Sequence, residues 1–191
     1  MAWTELVGAL LSIWAVWLTA RRHMLCWPIG MLSVLVYGGI FLQARLYSDA
    51  LLQGAFAAFI AYGWIRWMRN LASDGRVRVA PLARRRAAIH LLIGVCGAVL
   101  LGSVMHRYTN ASLPWLDAVL TAFSLVAQYW QDRRHTAAWW LWIVVDVVYI
   151  GEYIYKDLRI TAVLYAVFVA LAVMGLRAWQ QAARHSAAAS A

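Results

Sequence analysis

Charge is scarce in this sequence. Asp, Glu, Lys and Arg together make up 13% of its 191 residues, and lysine occurs once, at Lys156. A soluble domain carries about twice that share of charge. Hydrophobic residues instead reach 64% of the chain, and the mean hydropathy is +0.66. Such a chain buries its surplus apolar surface in lipid rather than in a core of its own. Cysteine is nearly absent too. Cys26 and Cys96 both lie inside apolar runs, where thiols are packing groups rather than a disulfide or metal pair. There is no H-E-x-x-H, no glycine-rich phosphate loop and no nucleophile elbow, so neither an enzyme nor coupling to ATP hydrolysis is expected, and no cofactor. The histidines at 23, 90, 106, 135 and 185 stand at segment ends without metal-ligand spacing. The basic leader of a secretory signal is missing before the first apolar run; Arg21 and Arg22 follow it instead.

What is present is a series of seven apolar segments. They run approximately over Trp3–Ala20, Met24–Gln43, Ser48–Met68, Ala88–Met105, Leu113–Trp130, Thr136–Tyr155 and Leu158–Gln180. Each has the length a helix needs to cross about 30 Å of hydrocarbon. The runs lack the strict alternation of a transmembrane barrel, so helices are expected. Residues 69–86, with Ser73, Asp74, Gly75, Pro81 and a set of arginines, form the longest loop, and the end from Arg184 is small and polar.

The net charge of +9 admits a nucleic-acid binder in principle. The arginines, however, sit in short connections between apolar runs, which is the pattern of a topology signal. The side holding the C-terminus carries Arg21, Arg22, Arg66, Arg69, Arg76, Arg78, Arg84, Arg85, Arg86, Arg133, Arg134, Arg177 and Arg184. The other side carries only Arg45, Arg107, Lys156 and Arg159. The positive-inside rule then puts the C-terminus in the cytoplasm and the N-terminus outside.

An internal repeat organises the segments. Shifting the chain by 112 residues, without a gap, lays Trp3 on Trp115, Glu5 on Asp117 and Ser12 on Ser124. Arg21-Arg22-His23 falls on Arg133-Arg134-His135, Trp27 on Trp139, Tyr37 on Tyr149, Gly39 on Gly151, Leu46 on Leu158, Gly63 on Gly175 and Trp67 on Trp179. Tryptophan, glycine and charge coinciding in one register is a repeat signature. Three helices per unit would leave the second unit inverted, and the run from Ala88 to Met105 restores it. The expected fold is therefore an all-α integral membrane protein with seven transmembrane helices in a 3+1+3 parallel repeat, as in SWEET-type transporters. The division is 1–68 for the first unit, 69–112 for a basic cytoplasmic loop and linker helix, 113–180 for the second unit and 181–191 for a flexible cytoplasmic tail.

The sixth segment concentrates the chemistry. Trp139, Trp142 and Asp146 are spaced to share one helical face, with Asp146 in mid-span. A carboxyl at that depth costs a few kcal/mol unless it meets a partner or a polar cavity. Two indoles beside it offer half of a cage for a planar organic cation; the alternative is interfacial or packing tryptophans with a structural acid. Gln53 is a second buried polar group, suited to sugar hydroxyls or to joining helices, and Gln128 is similar but nearer a membrane end. Tyr37 and Tyr149, related by the repeat, either line the pathway or pack at the seam between the units. Tyr62, Trp64 and Trp67 are read as an interfacial belt, with Trp64 the one that reaches the cavity. Pro28 is either a gating hinge or a first-turn proline. Glu5 and Asp117 are first-turn acids that favour the helix dipole.

Several of these residues also carry a resemblance. Trp27-Pro28-Ile29-Gly30, Tyr37-Gly38, Phe41, Leu46-Tyr47, Leu52-Gln53, Tyr62-Gly63-Trp64 and Trp67 resemble the first half of the PnuC family. Trp115-Leu116-Asp117, Ser124-Leu125-Val126-Ala127, Arg133, Trp139, Trp142, Tyr155-Lys156, Thr161 and Tyr165 resemble its second half. The resemblance implies a SWEET-like transporter of nicotinamide riboside that works by facilitated diffusion, with the substrate trapped by cytoplasmic phosphorylation. It also implies substrate binding by the sixth-helix motif W-x-x-W-x-x-x-N and by the third-helix glutamine, here Gln53. Asp146 stands where many members have Asn. An aspartate would attract the pyridinium of nicotinamide riboside and equally the cation of thiamine, so thiamine or another vitamin is the alternative substrate. A membrane scaffold or membrane enzyme is the alternative class. The partners expected are a planar organic cation, the lipid bilayer and, as an alternative to a monomer, a second copy of the chain; no nucleic acid is expected.

Overall fold

The computed structural model describes residues 2–43, 47–71, 75, 77–109, 113–155, 157 and 159–188. Seven α-helices follow one another: α1 Ala2–Ala20, α2 Cys26–Gln43, α3 Tyr47–Met68, α4 Arg84–Tyr108, α5 Pro114–Asp132, α6 Ala137–Tyr155 and α7 Arg159–Ala188. Arg45, Leu46, Ser73, Asp74, Arg76, Lys156 and Leu158 lie outside the described residues, as does the side chain of Glu5. α4, α6 and α7 as far as His185 are long and apolar enough to cross a membrane by length and composition, and shorter apolar helices occupy Leu6–Ala20 and Cys26–Ile40.

Two helices outrun their apolar segments. α4 starts at Arg84, ahead of the expected Ala88, because arginine is a good helix former and the polar first turn adds length at the bilayer surface. α7 continues past Gln180 to Ala188, so most of the expected flexible tail is helical. Ala182, Ala183, Ala187 and Ala188 supply the residue type of highest helix propensity there. Pro28 falls in the first turn of α2, where a missing N–H is tolerated.

The helices close into a ring. α1 packs on α2, α2 on α3, α3 on α5, α5 on α6, α6 on α7, and α7 returns to α1. Every packing in the first half has a counterpart in the second, and the α3–α5 seam is matched by the α7–α1 seam. α4 lies outside the ring against α5. Its buried residues are Gly94, Ala98 and Gly102, spaced by four along one face. A side chain at Gly94 would meet Val126 at 3.2 Å, and one at Gly102 would overlap the Trp115 ring. Small residues let the two backbones approach where lipid offers no hydrophobic drive between helices. Leu92, Ile93 and Leu100 point outward from α4. Cys96 is also exposed on α4, so it is not the packing thiol its apolar setting suggests; Cys26 is buried in the core.

That core lies at the end of the ring where α1 finishes and is built from four tryptophans. Trp27 meets Trp67 edge-on with centroids 5.1 Å apart, and Trp139 meets Trp179 edge-on at 5.6 Å. Trp67 and Trp179 join the two pairs at 5.9 Å. Gly63 and Gly175 face the indoles of Trp27 and Trp139; a Cβ at Gly175 would come within 2.6 Å of the ring, and one at Gly63 would overlap it. The hydrogen bonds cross between the halves. Trp67 Nε1 donates to the Gln131 carbonyl at 3.3 Å, and Trp179 Nε1 donates to the Thr19 carbonyl at 3.1 Å. Donors and acceptors are both related by the 112-residue shift, as exchange of the two halves requires.

The connection from α3 to α4 is a strap laid over the same end. Val77 is buried against the tryptophan core. Arg22 Nη1 donates to the Val77 carbonyl at 3.1 Å and Arg134 Nη1 to the Arg78 carbonyl at 3.0 Å. These two arginines are repeat equivalents and both take positive φ, 58° and 67°, which turns the chain sharply at the end of α1 and of α5. Ala80 N donates to the Arg134 carbonyl at 2.9 Å, and His135 Nδ1 lies 3.0 Å from the Ala80 carbonyl.

Candidate functional site

The ring encloses a cavity of about 1330 Å³. Its lining runs from Leu6, Asp117 and Ile160 at one end to Thr19, Cys26 and Gln131 at the other, where Trp27 and Trp139 of the tryptophan core border it. Residues from α1, α2 and α3 and from α5, α6 and α7 all contribute to the lining.

Six of the seven candidate residues line this space: Tyr37 from α2, Gln53 from α3, and Trp139, Trp142, Asp146 and Tyr149 from α6. Trp64 does not. It is half-buried and packs against the tryptophan core. The six are not equivalent. Trp139 is 1% exposed, wedged against Gly175 and Trp179, and shows the cavity only an edge. Trp142 is half-buried, and its Nε1 donates to Gln131 Oε1 at 3.0 Å. That bond fixes the plane of the ring against the cavity. Asp146, one turn further along α6, is 5% exposed. Tyr149 stacks on Tyr153 at 5.7 Å and meets Tyr165 at 4.8 Å, and the Ser124 hydroxyl bonds to it from α5. Tyr37 lies over Gly8, where a Cβ would come within 2.9 Å of its ring.

The lining also contains two acids that the sequence did not place there. Glu152 is buried and lines the cavity, and Asp117 lines it from the first turn of α5. Asp117 is therefore not only a helix-dipole residue. The cavity thus holds three carboxyls, Asp117, Asp146 and Glu152, and none of its described lining residues is Lys, Arg or His. Glu152 carries the signal that marked Asp146, an acid inside an apolar run. Gln131 and Asp132 stand directly before Arg133-Arg134 and read as the start of a polar loop, yet α5 carries them inward. Asp132 is fully buried and accepts from Gln128 Nε2 at 2.8 Å. Among the described residues no group of His, Cys, Asp and Glu is arranged to hold a metal ion.

Comparison with known proteins agrees with this architecture. A family model described as nicotinamide mononucleotide transporter matches residues 2–181. The riboflavin/roseoflavin transporter RibM of Streptomyces davaonensis is 32% identical over 182 residues, covering 93% of this chain and 84% of RibM. The nicotinamide riboside transporter PnuC of Escherichia coli is 23% identical over 209 residues, covering 96% of this chain and 87% of PnuC. A crystal structure of the vitamin B3 transporter PnuC superposes with a TM-score of 0.80 at 21% identity, over 96% of this chain and 83% of that one. The chain belongs to the nicotinamide mononucleotide transporter family and is a membrane transporter of the PnuC type.

Proposed function

We propose that the protein takes up nicotinamide riboside by facilitated diffusion across the bacterial inner membrane, with its C-terminus in the cytoplasm. The observation that carries the substrate is the cavity's charge. Three carboxyls and no described basic residue line it, which suits a cationic pyridinium and repels an anion. Trp142, held flat by Gln131, offers a face for the ring to stack on, and Asp146 supplies the countercharge one turn away. Gln53 and the tyrosines Tyr37 and Tyr149, on the opposite side and along the wall, offer donors and acceptors for the ribose hydroxyls. Residues 1–68 and 113–180 act as the two moving units about the α3–α5 and α7–α1 seams. Phosphorylation in the cytoplasm traps the substrate and sustains net uptake.

A second reading is riboflavin, supported by the 32% identity with RibM. Its planar ring with a hydroxylated chain shares the shape of the first substrate but carries no cation. Calorimetric titration of the purified protein with nicotinamide riboside, thiamine and riboflavin, repeated on Asp146→Asn, separates the readings. Under the proposal nicotinamide riboside binds and the variant loses at least about tenfold in affinity, the scale of one charge-assisted contact. Riboflavin binding that is indifferent to Asp146→Asn, with no nicotinamide riboside binding, would replace the first reading by the second.

A further inference from the structure

A second, smaller crevice of about 310 Å³ opens on the outer surface of the ring, at the α3–α5 seam, between Ala58, Phe59, Tyr62 and Tyr129. Its walls are apolar rings and a methyl group. One turn nearer the end of each helix stands an arginine. Arg66 lies over the Tyr62 ring at 5.5 Å and donates from Nη1 to the Tyr62 hydroxyl at 3.2 Å. Arg133 lies over the Tyr129 ring at 5.0 Å. The Nε of each is buried without a hydrogen-bond partner. Arg134 is close enough to act electrostatically on Arg66, and its Nε too is buried and unpartnered. The acid at this end, Asp132, accepts from Gln128 through one oxygen and also acts electrostatically on Arg66, so one carboxyl stands against the three guanidinium groups.

The other seam shows what is special here. The repeat places Arg21 where Arg133 stands, and Arg21 lies over Trp17 at 4.1 Å as Arg133 lies over Tyr129. Arg66 and Tyr62, however, correspond to Ala178 and Met174. The α3–α5 seam thus sets two guanidinium groups above an apolar slot, where the other seam has Ala178 in place of the second.

We propose that this crevice is a binding site for one anionic phospholipid. An acyl chain lies against Phe59 and Tyr62, and the headgroup phosphate lies between Arg66 and Arg133. The charge complementarity supports this occupant: underpaired guanidinium groups at the bilayer surface are compensated by a phosphate, and basic pockets between helices on the cytoplasmic side bind such headgroups. Because the seam is one of the two contacts between the halves, a lipid there bridges α3 and α5.

The test is native mass spectrometry of the protein released from nanodiscs containing phosphatidylglycerol, phosphatidylethanolamine and phosphatidylcholine in equal parts. One phosphatidylglycerol should be retained in preference to the zwitterionic lipids. The double variant R66Q/R133Q should reduce that retention by at least about tenfold, as expected for two cations lost at an anionic headgroup, while R21Q should retain it. Ala58→Trp fills the slot from an exposed position and leaves both arginines in place; it should also displace the lipid, and it decides the matter if the double variant does not fold. Equal retention of all three lipids, or unchanged retention in Ala58→Trp, overturns the proposal. So does a disulfide-linked dimer formed through Ala58→Cys in a Cys96→Ser background, which would assign the crevice to a second copy of the chain.

Discussion

At the scale of single residues, the paired glycines and tryptophans are the sharpest determinants of packing. Gly63→Ala drives a methyl group into the Trp27 ring, and a rigid indole cannot yield as a flexible side chain would. We expect a loss of about 1–3 kcal/mol, the cost of overpacking a filled core, read as a lowered thermal midpoint in detergent. Gly39→Ala, where nothing stands within 4 Å, should leave the midpoint unchanged or raise it. In the cavity, Trp142→Ala should abolish substrate binding while the protein remains monodisperse. Gln131→Ala should weaken binding about fivefold by freeing the ring it holds, the value of one hydrogen bond. Titration calorimetry reads both. Asp146 and Trp142 were legible in the sequence because an acid in mid-span and a tryptophan spacing are local signals. Gln131 and Asp132 were not, because α5 reaches further than its apolar run and only the packed structure shows that both turn inward.

At the scale of elements, the seven helices were legible from their apolar runs, and the structure sets the fourth of them outside the ring, against α5. The strap over the tryptophan core was not legible. Its hydrogen bonds join residues more than fifty positions apart, and nothing in an arginine-rich loop announces that its main chain is held. His135 reports on this element. Burial, with Arg133, Arg86 and Arg134 nearby, pushes its imidazole below the ordinary value, outweighing the bond to Ala80. Above pH about 6.5 the ring is neutral in both folded and unfolded chains and contributes no pH dependence. As pH falls below that value, the unfolded chain takes up a proton that the folded one refuses, and stability declines. Thermal midpoints measured from about pH 8 down to about pH 5 should fall over the acid half of that range, and His135→Asn should flatten the fall.

At the scale of the whole molecule, the halves exchange their contacts but not their chemistry. Gly30 and Val34 of α2 occupy the positions of Trp142 and Asp146 in α6, and both line the same cavity. The helix contacts are matched between the halves and the cavity lining is not. The reciprocal bonds of Trp67 and Trp179 should therefore be worth the same: Trp67→Phe and Trp179→Phe each remove one cross-half hydrogen bond, and each should cost about 0.5–1.5 kcal/mol in unfolding measurements. Under the proposed orientation a C-terminal green fluorescent reporter, which folds only in the cytoplasm, should fluoresce. The strap, finally, is gripped by its carbonyls at Val77, Arg78 and Ala80 and by one amide at Ala80. A clasp of that kind is blind to most side chains. In a saturation-mutagenesis screen for uptake, position 78 should accept nearly any residue, while position 80 should reject proline and positions 77 and 79, packed on the tryptophan core, should stay apolar, so the exposed spelling of this segment is free to drift as long as its backbone keeps its course.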